Sequence, residues 1–149
     1  MADDLQGGGP ALFRLVRFWS RRGPLRVSAE LTGEERRLQD IQVLEAVAAT
    51  PGDEASVADV AHQLGIDRSG ASRFVSDAVA HGYLTRGAAT DDARRAVLTV
   101  TPDGHELLAG ARAWQERVFG ELTAGWPAED AADLARHLRR LAAELPTGR

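Results

Sequence analysis

The chain has 149 residues, a formal net charge of −4, 44% hydrophobic and 27% charged residues, and no cysteine. That length supports one domain with a real core, not two large ones. The acidic balance argues against an indiscriminate polyanion binder, and the lack of thiols excludes disulfides, thiolate metal sites and a cysteine redox switch.

Residues 1–9 end in Gly7, Gly8 and Gly9 and are expected to form a flexible tail. No basic and apolar leader opens the chain and no apolar run approaches the ~18 residues of a membrane span. A cytoplasmic protein with no membrane partner is expected. Pro10 suits the first turn of a helix, along which Leu12, Leu15, Val16 and Trp19 recur at helical spacing until Gly23-Pro24. A second helix is predicted over about 32–49, with Leu38, Ile41, Leu44 and Val47 on one face. Together these make 10–50 an amino-terminal helical region for dimerisation and scaffolding.

Residues 51–101 change character. Ser56 reads as an N-cap with Asp59 three residues on, a capping-box variant ahead of a helix over 57–64 that Gly65 ends. Asp67 caps the next helix, over 68–80, whose apolar positions are Ala71, Phe74, Val75 and Val79. Two short helices joined by a tight glycine turn form a helix-turn-helix. After Gly82, Tyr83-Leu84-Thr85 and 96–100 read as strands around a polar hairpin. A helix-turn-helix followed by a β-hairpin is a winged helix. Thr101-Pro102 caps a fifth helix carrying Leu107, Leu108, Ala111, Trp114, Val118 and Leu122. A last helix repeats Ala131, Leu134, Leu138, Leu141 and Leu145 at 3-4-3-4 spacing, a seam that must pack against other helices. Residues 102–149 are therefore expected to serve dimerisation.

The run Val57-Ala58-Asp59-Val60-Ala61-His62-Gln63-Leu64-Gly65-Ile66-Asp67-Arg68-Ser69-Gly70-Ala71-Ser72-Arg73-Phe74-Val75 resembles the helix-turn-helix of the MarR family. His81-Gly82-Tyr83-Leu84-Thr85-Arg86 is similar to that family's entry into its wing. Asp92-Ala93-Arg94-Arg95 and Val100-Thr101-Pro102-Asp103-Gly104 resemble its Asp-x-Arg wing and the start of its next helix. The resemblance spans about residues 35–145, and the stretch 31–39 departs from it by being longer and more charged. It implies a mainly α fold (an α+β winged helix): six helices and a two- to three-stranded β-wing, dimerised through the terminal helices. It also implies a regulator of transcription.

A recognition helix presents its first turns to the major groove. Here those turns carry Arg68, Ser69, Ser72 and Arg73. Arg73 is the candidate for a bidentate guanine contact, and the serines suit phosphate or base-edge hydrogen bonds. Gly70 would permit close approach of the backbone. Ser56 caps its helix and could turn backbone N–H groups to a phosphate. In the wing, the resemblance implies that Asp92 braces Arg94 in the minor groove, with Arg95 on phosphate. Every one of the 18 basic residues is arginine, so a plain surface arginine is the standing alternative for each. Arg17, Trp19 and Arg22 are candidates for an anionic or aromatic effector. His62, His81, His105 and His137 are scattered, so no metal site is expected. No cofactor is expected either, and no catalytic constellation or nucleotide fingerprint can be read. The expected partners are a pseudo-palindromic double-stranded DNA operator, a second copy of the chain and a small-molecule effector. The alternative is a winged-helix protein-interaction module that does not read DNA.

Overall fold

The structure, a computed structural model, describes residues 6–21, 35–53, 55–88 and 96–145; the side chains of 19–21, 35–37 and 53 fall outside the description. The described residues form α1 Gly8–Arg21, α2 Glu35–Ala48, α3 Val57–Leu64, α4 Arg68–Ala80, β1 Leu84–Ala88, β2 Ala96–Val100, α5 Pro102–Leu122 and α6 Ala128–Ala143. This mainly helical winged helix, with six helices and a small antiparallel sheet, is the expected fold class. Ala55 adds an isolated bridge to Leu98, whose N–H donates to Ala55 O at 2.7 Å.

The chain divides into two compact units, Met1–Gln39 and Asp40–Arg149. In the first, α1 begins at Gly8, ahead of Pro10, so Gly8 and Gly9 belong to the helix and not to the expected tail. The three opening positions of a helix have no intrahelical acceptor for their N–H groups. Pro10, third in α1, therefore forfeits no hydrogen bond there. Leu12, Phe13, Leu15, Val16 and Phe18 of this helix are all exposed.

The core of the second unit is built around α2. Ile41, Leu44 and Val47 are buried, the expected stripe, but so are Val43, Ala46 and Asp40. Between 40 and 47 only a strip at Gln42 and Glu45 reaches solvent. A helix covered on most of its circumference is a core helix rather than a surface amphipath. Val60, Val75, Leu84, Leu98, Leu108 and Trp114 complete the core.

Burying Asp40, 1% exposed, requires compensation. Its Oδ2 lies 2.8 Å from Nδ1 of His81, the residue that ends α4. A second tie joins α5 to α2: Arg112 Nε and Nη2 donate to Glu45 Oε1 and Oε2 at 3.1 and 2.8 Å. The fork and its charge raise the Arg112 pKa further above its already high value.

The join between wing and α5 is closer still. Thr101 caps α5 by accepting from Gly104 N–H, while its own N–H donates to Tyr83 O at 3.0 Å and its hydroxyl to Gly82 O at 2.6 Å. A Cβ on Gly104 would collide with Tyr83 O and stand 2.8 Å from Val100 Cγ1. Only glycine lets the helix start approach the strand entry this closely. That is the physical content of the Thr-Pro-Asp-Gly run.

Candidate nucleic-acid interface

The helix-turn-helix is assembled by caps. Ser56 accepts from Asp59 N–H, and Asp59 Oδ2 accepts from Ser56 N–H at 2.8 Å and from Ser56 Oγ at 2.6 Å. The reciprocal pair closes the capping box with aspartate where glutamate is usual. Gly65 then takes the left-handed conformation, φ 64°, that ends α3.

Two residues later Asp67 caps α4. Its Oδ1 accepts from Ser69 Oγ at 2.6 Å and from Gly70 N–H at 2.7 Å. The Ser69 bond, then the Gly70 bond, hold this carboxyl below the usual aspartate range, with Arg73 adding a smaller attraction. Hydrogen bonds to the ionised form favour it. Ala71, Val75 and Ala78 are buried and anchor α4, which packs on α3 and β1. At 100° per residue, Ser69, Arg73, Ser76 and Ala80 fall on the opposite, exposed side.

Arg68, Ser69, Ser72 and Arg73 are thus gathered on one helix, three of them exposed and Ser72 half-buried. Arg73 lies back over its neighbour: its Cζ is 5.8 Å from the centroid of the Phe74 ring. Phe74 is only half-buried, at the edge of the apolar face, which brings it within reach of that guanidinium. Ser56 sits at the start of a different helix with its hydroxyl engaged in the cap. Asp92, Arg94 and Arg95 lie outside the described residues, as do Arg22 and the side chain of Trp19. Arg17 is exposed on α1.

Two side chains escaped the sequence reading. Ser76 Oγ donates to Ser72 O at 2.8 Å and accepts from Arg86 Nη2, on β1, at 2.9 Å. Ser76 follows Ser69 and Ser72 at i+7 and i+4, so helical spacing could have found it. Arg86 sits on a strand, and no local pattern ties it to the helix.

Among the described residues, no group of three His, Asp or Glu side chains could hold a metal ion, and no helix is long and apolar enough to cross a membrane. Residues 37–95 match the family model described as MarR family. Over that segment the chain is similar to the MarR family. No curated protein matches it. Solved structures agree in fold at low identity. A mutant of S. aureus MepR is 15% identical with a TM-score of 0.69, over 91% of this chain and 97% of that one. CouR from Rhodococcus jostii RHA1, bound to p-coumaroyl-CoA, is 21% identical with a TM-score of 0.65, over 95% of this chain and 94% of that one. PcaV from Streptomyces coelicolor, in complex with its natural ligand, is 23% identical with a TM-score of 0.59, over 93% of this chain and 94% of that one.

Proposed function

We propose that this chain is a MarR-family regulator: a bacterial, cytoplasmic, homodimeric repressor that binds a pseudo-palindromic operator and is released by a small anionic or aromatic effector. The observation that carries the reading is the uncovered side of α4, where Ser69 and Arg73 face outward beside Arg68 while Ala71, Val75 and Ala78 anchor the helix. A helix held this way lays its first turns on base edges in the major groove. Arg73 then swings off Phe74 to pair with guanine. The Ser69 proton is committed to Asp67, so its oxygen presents lone pairs, which suit a base amino group better than a phosphate. Arg68 and Ser72 contact the backbone, and Arg94, braced by Asp92, enters the minor groove with Arg95 on phosphate.

Exposed apolar side chains on α1 and α6 and just past its end, among them Phe13, Leu138, Leu141 and Leu145, support a second copy as their cover. Each protomer then reads one half-site, about 10 base pairs from the other. The ligands of CouR and PcaV support an effector, with Arg17, Trp19 and Arg22 as its candidate contacts. It acts by favouring dimers whose recognition helices are wrongly spaced.

The test is a titration of the purified chain against the palindromic duplex upstream of its own coding region, beside a scrambled duplex, at two salt concentrations. Preferential dimer binding that weakens steeply with salt is expected. In the same assay Arg73→Ala should cost about 1–3 kcal/mol on the operator and little on the scrambled duplex. Equal binding of the wild type to both duplexes would sink the sequence-specific reading.

A further inference from the structure

Arg86 stands at the junction of the wing and the recognition helix. It shares a face of β1 with Leu84, because side chains two apart on a strand point the same way. Leu84 is fully buried; Arg86 lies beyond the rim of the core and is exposed. Its partner across the sheet is Leu98, so the strand beneath it is held in register. From there its Nη2 reaches Ser76 Oγ at 2.9 Å, and that hydroxyl donates onward to Ser72 O at 2.8 Å.

Among the described residues, this tie engages only a small part of the guanidinium. The group carries five N–H donors in a rigid plane, and one of them meets Ser76. Among the described residues no carboxylate lies within ion-pair distance of it. A structural brace between strand and helix needs one donor and no charge. What Arg86 keeps in surplus among the described residues is a full positive charge and most of its donor fork. It holds them beside the exposed side of α4, on the Ser72–Ser76 flank; Asp77, exposed as well, projects on the other flank of that side.

We propose that Arg86 is a phosphate-contacting residue of the DNA interface, and that Ser76 is the positioning residue that aims it. The inference rests on the reading of α4 as a DNA-recognition helix. With α4 in the major groove, a cation on its flank meets the sugar–phosphate backbone that borders the groove. The planar fork suits two phosphate oxygens at once. A contact of this kind sets register and affinity but carries no sequence information. Holding the side chain on Ser76 before DNA arrives lowers the ordering cost at binding.

The experiment uses the full chain with the upstream palindromic duplex and the scrambled duplex of equal length, across a salt series. Arg86→Ala is expected to weaken binding to both duplexes by a similar factor. It should also lower the slope of log affinity against log salt by about one per protomer. Ser76→Ala should weaken binding less and leave the slope unchanged. Both positions are exposed, so melting temperatures within a few degrees of the wild type are expected. An Arg86→Ala protein that binds with unchanged slope would overturn the phosphate contact, whether its affinity falls or not. A loss confined to the palindrome would overturn it too, since it would make Arg86 a base reader. If the wild type binds neither duplex, the DNA-binding reading fails first, and the inference falls with it.

Discussion

The helix-turn-helix and the terminal helices obey the same apolar periodicity and end in opposite states. In the first, the apolar face of α4 meets α3 and β1 and is largely covered: Ala71, Val75 and Ala78 are buried, with Phe74 and Val79 half-buried at its edge. In the second, Leu138 and Leu141 of the α6 seam, Leu145 beyond it and the apolar residues of α1 remain in solvent, with Phe13 and Leu145 each 63% exposed. The difference teaches what a periodic pattern says. It states that a face will be covered, but not by which chain. Around α2 the covering is internal; on α1 and α6 the same pattern leaves apolar side chains exposed, and the proposed dimer would cover them.

Mutation should separate the two regions sharply. Leu98, buried in β2, lies in the self-sufficient region, and Leu98→Ala should cost about 4 kcal/mol of unfolding free energy by denaturant titration. Gly104→Ala follows at about 3 kcal/mol, because the obstructing Tyr83 carbonyl is backbone and cannot rotate away. A loss below about 1 kcal/mol, the low end for overpacking, would mean that the close approach of α5 to the strand is not required. In the other region, Leu141→Glu should leave unfolding of the single chain nearly unchanged. It should raise the dimer dissociation constant at least tenfold, about 1.4 kcal/mol, in sedimentation equilibrium. A variant that stays dimeric would break the comparison.

The smallest effect concerns the cap of α4. The folded-state pKa of Asp67 is depressed, so the stability it supplies is present above the ordinary aspartate value, about 4, and is lost as pH falls through the depressed value. Wild type and Asp67→Asn should therefore differ in melting temperature at neutral pH and converge in acid. A difference that persists unchanged to low pH would rule out ionised Asp67 as the cap.

Much of the candidate interface was legible because it is local. The Ser56–Asp59 box, the left-handed Gly65, the Asp67 cap and the Thr101-Pro102 start each involve residues within a turn of one another. Chain connectivity alone brings their partners together. Gathering Arg68, Ser69, Ser72 and Arg73 needed only the 3.6-residue repeat. Arg86 stands inside a recognisable motif, but its contact crosses from strand to helix, so no local pattern assigns it a task. Periodicity places Phe74 in the core, yet it sits at the edge of the apolar face under Arg73.

By itself, the sequence determined where the capped helices of the helix-turn-helix and α5 begin, which turns need glycine, and that a hairpin follows the second helix of the pair. These are consequences of backbone sterics and of hydrogen bonds spanning three or four residues. Tertiary structure alone decided that α2 is enclosed on nearly every side. It alone joined Asp40 to His81 and Glu45 to Arg112, pairs separated by 41 and 67 positions. It also turned Arg86 onto Ser76 and left Leu138 and Leu141 of the α6 seam in solvent. Each of these depends on which surfaces meet in space. Pairing a buried carboxylate or covering an apolar stripe is demanded by local chemistry, but the partner that meets the demand is chosen by the packing of distant segments.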